Sequence, residues 1–198
     1  FVLAIYGQDL DGFSPLWIGL AIGVYGLTQA LLQVPMGWLS DKFGRKRVIV
    51  SGLVLFAIGS LIAAMAESIY MVTLGRALQG MGAIASTVLA LAADLSRDEQ
   101  RPKVMAVIGM CIGLSFAFSM LLGPIVASSY GVSGIFWLTA VLALAGIVIV
   151  LTLVPTAVNR APKGETSAVF DDIKKIVKNP QLARLDVGVM ILHLTLTA

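Results

Sequence analysis

Charge is missing from this sequence over distances that matter. From Gly12 to Ser40, from Val48 to Ala66 and from Val104 to Asn159 there is no Asp, Glu, Lys or Arg. A helix needs about 20 apolar residues to cross the roughly 30 Å hydrocarbon core of a bilayer, and each run reaches about that length or exceeds it. In lipid every backbone N–H and C=O has to be bonded within the segment, so uninterrupted apolar runs must be helical. A transmembrane barrel would instead show alternating segments of about 10 residues, and the sequence has no such pattern. Hydrophobic residues make up 58% and charged residues 13%, against about 25% charged in soluble domains. The fold class is therefore an all-α membrane protein.

Breaks in the apolar pattern divide the chain. Pro15 opens a span at the first helical position, where its missing N–H costs nothing. Spans are expected at residues 15–39, 48–66, 69–93, 104–127 and 135–154. The last two come from one uncharged run too long for a single crossing, divided at the turn-rich Ser128-Ser129-Tyr130-Gly131-Val132-Ser133-Gly134. The stub 1–6 rises only about 9 Å as a helix. It and residues 185–198 read as parts of further spans, so the chain is expected to be an internal segment of a longer protein. Residues 156–184 form a polar connector with an amphipathic helix over 167–178. Val169, Phe170, Ile173, Ile176 and Val177 share one face, and Lys174, Lys175 and Lys178 point away. Such a helix lies in the membrane interface or serves as a solvated linker.

The cations orient the spans. Thirteen of the fourteen Lys and Arg fall in three stretches, 41–47, 94–103 and 156–184, and the fourteenth is Arg76 inside a span. The loops on the other side, around Asp9, Asp11 and Glu67, have none. By the positive-inside rule the basic stretches are cytoplasmic, so topology rather than nucleic-acid binding explains the net charge of +3.

The first basic turn reads Gly37-Trp38-Leu39-Ser40-Asp41-Lys42-Phe43-Gly44-Arg45-Lys46-Arg47. The pattern Gly-x-x-x-Asp-Lys-x-Gly-Arg-Lys between two spans resembles the signature loop between the second and third helices of the major facilitator superfamily. The resemblance extends to the YajR-like branch of its drug:proton antiporters. It implies a twelve-helix transporter fold. The chain then covers the end of the first helix to the start of the seventh, and the connector joins the two six-helix halves. By the same resemblance Gly37, Asp41, Gly44, Arg45 and Lys46 form a conformational switch with Asp94. That switch holds the cytoplasmic side shut and breaks when it opens. From the residues alone, the cluster could equally be a rim salt bridge worth under about 1 kcal/mol.

A cation within a span is costly and normally faces a cavity or a partner. Arg76 lies about 10 Å into its helix by helical rise. The segment Arg76-Ala77-Leu78-Gln79-Gly80 resembles an antiporter signature on the fourth helix, which associates Arg76 and Gln79 with proton coupling and places an acidic partner on the first helix. The residues alone also allow a structural arginine bonded to backbone carbonyls. Ser119, Gly123 and Pro124 resemble part of a fifth-helix antiporter signature, in which Ser119, Ala127 and Ser128 stand where the family has glycine. Gln29 and Gln33, four apart on one face, either bond between helices or line a cavity. Gly19, Gly23 and Gly26, and likewise Gly109 and Gly113, form small-residue faces suited to close helix packing.

The lone Cys111 reads as a packed, inert thiol. Gly80-x-Gly82-x-x-Ala85 lacks the strand that a dinucleotide fingerprint needs. There is no HExxH, Cys/His cluster or Ser/His/Asp set, so the chain is not read as an enzyme and no metal site is expected. The function implied is proton-coupled efflux of small organic or amphipathic compounds, driven by the proton gradient with no cofactor. The alternatives are proton-coupled import of a metabolite and a non-transporting sensor on the same fold. Its partners are a small-molecule substrate and the lipid bilayer, with no nucleic acid, in a monomeric protein of the bacterial inner membrane.

Overall fold

The structure, a computed structural model, describes residues 10–82 and 84–155, together with residues 3, 180, 181, 184, 187, 188 and 191. The chain divides into two units, Phe1–Asn159 and Arg160–Ala198. The expected amphipathic helix at 167–178 lies outside the described residues, and so do most of the connector and of 185–198.

Among the described residues of the first unit the helical segments are α1 Pro15–Phe43, α2 Arg45–Ala64, α3 Ile69–Met81, α4 Ala85–Asp94 and α5 Arg101–Thr152, the last kinked, with a short 3-10 turn at Asp98–Gln100 before α5. Pro15 starts α1 as its sequence position predicts. The helix then continues through the basic turn to Phe43, past the expected end at 39. It stops because Gly44 adopts φ 99°, a conformation that side chains with a Cβ rarely enter. The Gly44 N–H caps Ser40 O at 3.0 Å, and α2 begins at the next residue.

Two of the spans carry an interruption. Ile69–Asp94 is long and apolar enough to cross a membrane as one span, with an interruption within it. The Gly82 N–H bonds back to Leu78 and Gln79 carbonyls, ending α3, and the chain turns through Ile84 into α4. The expected separation of 104–127 from 135–154 takes the form of a kink: within α5 the two helices meet at Gly131, with φ 67° and ψ −168°. That backbone region is essentially reserved for glycine, so the turn-rich cluster supplies one conformationally special residue rather than a loop.

α2 packs between α3 and the second half of α5, and α3 packs in turn on α1. Small residues let the backbones meet. A Cβ at Gly75 would lie 2.7 Å from Gly59 O, and one at Gly82 would lie 2.6 Å from Gly52 O. One at Gly80 would collide with Thr28 Oγ1 and Tyr25 O on α1. Thr28 also donates to Ala77 O at 3.2 Å. Among the described residues nothing lies within 4 Å of a Cβ built at Gly19, Gly23, Gly26, Gly109 or Gly113. Leu16, Leu31, Phe116 and Met120 are among the large apolar side chains left exposed on α1 and α5, as a hydrocarbon-facing surface requires.

The two ends of the bundle differ in charge. At one end Asp11 bridges the α2–α3 turn, with its N–H on Glu67 O at 3.1 Å and its C=O accepting from Ile69 at 3.0 Å. Trp17 meets Tyr70 edge-on at 4.6 Å, over a core of Ile18, Ala63, Ile69, Val72 and Phe136. Ser133 donates to Ala64 O there. The other end gathers the 41–47 turn, the end of α4 and the end of α5.

Candidate functional site

Arg76 sits half-buried on α3, facing α1. Its Nε donates to Ala21 O at 3.4 Å, and its Nη1 donates to Gln79 Oε1 at 3.0 Å. The guanidinium lies 4.2 Å over the Tyr25 ring, a cation–π arrangement that gains strength where water is excluded. Gln79 is 2% exposed. Its Nε2 donates to Ser60 Oγ at 2.7 Å, and Ser60 donates to Phe56 O at 2.8 Å. A polar chain thus runs from α1 through α3 to α2. It forms because residues 76 and 79 are three apart on one helix face and because Gly59 and Gly75 bring α2 within side-chain reach of α3.

Two residues of this chain, Gln79 and Tyr25, line a cavity of about 330 Å³ that also takes in Gln29 and the start of α4. Gln33 lies elsewhere. Its carbonyl O accepts from Ser86 Oγ at 3.1 Å, and its side-chain Oε1 is buried with no hydrogen-bond partner among the described residues. Ser119 lines an open groove of about 710 Å³ with Tyr25, Phe56 and Cys111. Gly123 and Pro124 line neither space. Cys111 is exposed rather than packed among the described residues.

At the basic end Arg45 is the hub. Its Nη1 lies 2.6 Å from Asp41 Oδ1 and its Nε lies 2.9 Å from Asp94 Oδ2. Nη1 also donates to the buried Ser40 Oγ at 2.8 Å, and Ser40 donates to Gly37 O at 2.6 Å. The planar guanidinium fork serves all three acceptors, which a lysine at this position would not. Lys46 is not part of this group. Its Nζ donates to Leu151 O at 3.1 Å and Val154 O at 2.8 Å, placing a cation at the C-terminus of α5, where the helix dipole favours one. Gly37 stands against α4, with Ser86 Oγ 3.7 Å from a Cβ built on it.

Sequence reasoning missed Ser60, Tyr25 and Ser40. Each is a polar side chain within or at the edge of an uncharged run, so a signal existed for Ser40 and Ser60. Nothing in the sequence aims the Tyr25 ring at Arg76.

The family model for the Major Facilitator Superfamily matches residues 1–198. The chain belongs to the major facilitator superfamily. It is an integral membrane protein with that superfamily's all-α fold. Among its relatives it is 47% identical over 195 residues to the inner membrane transport protein YajR of Escherichia coli (strain K12), covering 98% of this chain and 43% of YajR. It is 41% identical over 196 residues to an uncharacterized transporter of Buchnera aphidicola subsp. Schizaphis graminum, covering 99% of this chain and 50% of that protein. A triacylglyceride transporter of Mycobacteroides abscessus is 37% identical over 151 residues, 75% of this chain and 28% of that protein. The chain spans about half the length of the YajR and Buchnera relatives.

Proposed function

We propose that this chain is the N-terminal bundle of a secondary active transporter that exports small amphipathic organic compounds in exchange for protons, by alternating access. The observation that carries the proposal is Arg76, held within a membrane span by neutral partners on α1 and on its own helix α3. An arginine does not give up its proton, so it acts as a permanent positive charge. Such a charge favours the ionised form of any acid brought opposite it, and a proton arriving on that acid removes the attraction. That dependence on protonation is what links proton movement to a change of conformation. The names of the relatives, an inner membrane transport protein and a triacylglyceride transporter among them, support transport.

Arg45 joins the Asp41 turn to Asp94, and the contact is the switch that closes the basic end. The distribution of Lys and Arg makes that end cytoplasmic, with 41–47, 94–103 and 156–184 on that side. The protein works as a monomer in the inner membrane, energised by the proton gradient without a cofactor.

The test is dye efflux from cells expressing the full-length protein, with and without a protonophore, beside Arg76→Ala. Efflux abolished by both treatments, with the variant still inserted in the membrane, is the expected result. Uptake in place of efflux would reverse the direction to import. Surface-expressed protein that moves no compound, or an Arg76→Ala variant with normal coupled flux, would overturn the proposal.

A further inference from the structure

Arg76 begins a hydrogen-bond chain that can run in only one direction. A guanidinium donates and never accepts, so the Gln79 amide must offer it Oε1, which it does at 3.0 Å. Nε2 is then left on the other side of a buried amide, where a donor without an acceptor is costly. Ser60 Oγ supplies that acceptor at 2.7 Å. The Ser60 proton is itself committed to Phe56 O at 2.8 Å, so towards Gln79 the hydroxyl can only accept. The polarity of the chain is thus set by a side chain that cannot accept at one end and a carbonyl that cannot donate at the other.

Ser60 lies on α2, whereas Arg76 and Gln79 both lie on α3. The bridge exists because the two helices nearly touch: a Cβ at Gly59 would lie 2.7 Å from Gln79 N and from Gly75 O, so a side chain as short as serine spans the gap. Ser60 is fully buried and lines neither the cavity of about 330 Å³ nor the open groove. Among the described residues no hydrogen bond joins it to Arg76. What it holds is the orientation of the Gln79 amide. Without Ser60 Oγ the Nε2 donor has lost its acceptor, and the amide gains by turning. A turned amide sets N–H against N–H at Arg76 and gives up the bond that locates the guanidinium.

We propose that Ser60 is a positioning residue for Arg76: acting through Gln79, it keeps the guanidinium where the exchange of cargo for protons needs it. The inference rests on the transport reading above and adds a residue of α2 to a site whose other members lie on α1 and α3.

Two measurements on the full-length protein test it. The first is a thermal-shift cycle in detergent, which needs no flux. Changes within one hydrogen-bond network are not additive, even where the two residues do not touch. Once Arg76 is replaced the Gln79 amide turns without loss, so Ser60→Ala should lower the melting temperature less in Arg76→Leu protein than in unmutated protein. In a Gln79→Leu background the two shifts should add. Ser60→Cys, of nearly the same size but a weak acceptor, takes the place of Ser60→Ala if the latter does not insert. The second measurement is efflux kinetics per inserted molecule. Loss of one such hydrogen bond corresponds to about two- to tenfold in rate. Ser60→Ala is expected to lower the maximal rate by that factor and leave KM unchanged, because Ser60 lines neither space. Additive shifts with Gln79 in place, or an unchanged maximal rate, would overturn the proposal. Coupled shifts in a protein that moves no compound would refute the transport proposal alone, and additive shifts in a protein with proton-coupled efflux would refute this one alone.

Discussion

Gly75→Ala tests whether the α2–α3 seam is as tight as the structure makes it. A Cβ at residue 75 would lie 2.7 Å from Gly59 O, 2.8 Å from Ala63 N and 2.8 Å from Ala63 Cβ. The closest approach falls about 0.7 Å short of the 3.4 Å at which ordinary contact begins. Two of the three obstructing atoms belong to the α2 backbone, so no side chain can rotate away and the helices must separate. Overpacking of this kind costs about 1–3 kcal/mol, and backbone obstruction on two sides places it at the upper end. The higher helix propensity of alanine returns about 1 kcal/mol, leaving a net loss of about 2 kcal/mol. For a chain of this size each kcal/mol lowers the melting temperature by about 2–4 °C, so a drop of about 4–8 °C is expected in a detergent thermal-shift assay. Gly146→Ala is the control, because a Cβ there meets Leu53 at an ordinary 3.7 Å and should be neutral or stabilising. If Gly75→Ala melts no lower than Gly146→Ala, the reasoning fails.

Two further outcomes follow from the backbone and the basic end. Gly131→Ala forces a side chain into φ 67°, ψ −168°, which costs about 1–3 kcal/mol; the same thermal assay should show it less stable than wild type, and an unchanged melting temperature would count against the one-residue break in α5. A double-mutant cycle with Arg45→Gln and Asp94→Asn should give a coupling of about 1 kcal/mol or less in stability, weakened further by added salt. A coupling above about 3 kcal/mol would mean that the pair is buried rather than at the rim.

The existence and type of the spans could be read from the sequence because a bilayer leaves a long apolar run only one solution. The ends and breaks could not, because single residues decide them. Gly44 and Gly131 act through φ; their turn-rich neighbours marked the region of each, but not which residue would take the positive φ. Gly59 and Gly75, on different helices, make a close contact that no spacing within one helix could signal. At the site, Arg76 and Gln79 were legible as a cation and an amide one turn apart. Ser60 and Tyr25 join them only because α1, α2 and α3 converge there. The turn signature placed Lys46 in one group with Arg45, yet adjacent residues on a helix point in different directions, and the structure sends Lys46 to the end of α5.

The contacts that hold this bundle differ in strength by position, and the difference bears on how the basic end could open in the proposed cycle. α1, α2 and α3 meet backbone to backbone at Gly59, Gly75 and Gly80, and parting them would open apolar surface and the Arg76–Gln79–Ser60 chain together. α4 is held more lightly. It buries only Thr87 and Leu91, and its side-chain ties to other elements include the partly exposed Arg45–Asp94 pair at 2.9 Å, the Ser86–Gln33 bond at 3.1 Å and the Arg101–Ala93 bond at 3.3 Å. The break after Gly82 separates it from α3. Breaking the rim pair therefore frees α4 before anything else, while Arg76 stays with its partners. α4 is a helix of 10 residues, about 15 Å long, with Asp94 at the rim and Ala85 on the cavity wall. A displacement at Asp94 is thus carried by a rigid rod to the cavity. In the proposed cycle, that helix is the element linking the rim pair to the cavity lined by Gln79 and Ala85.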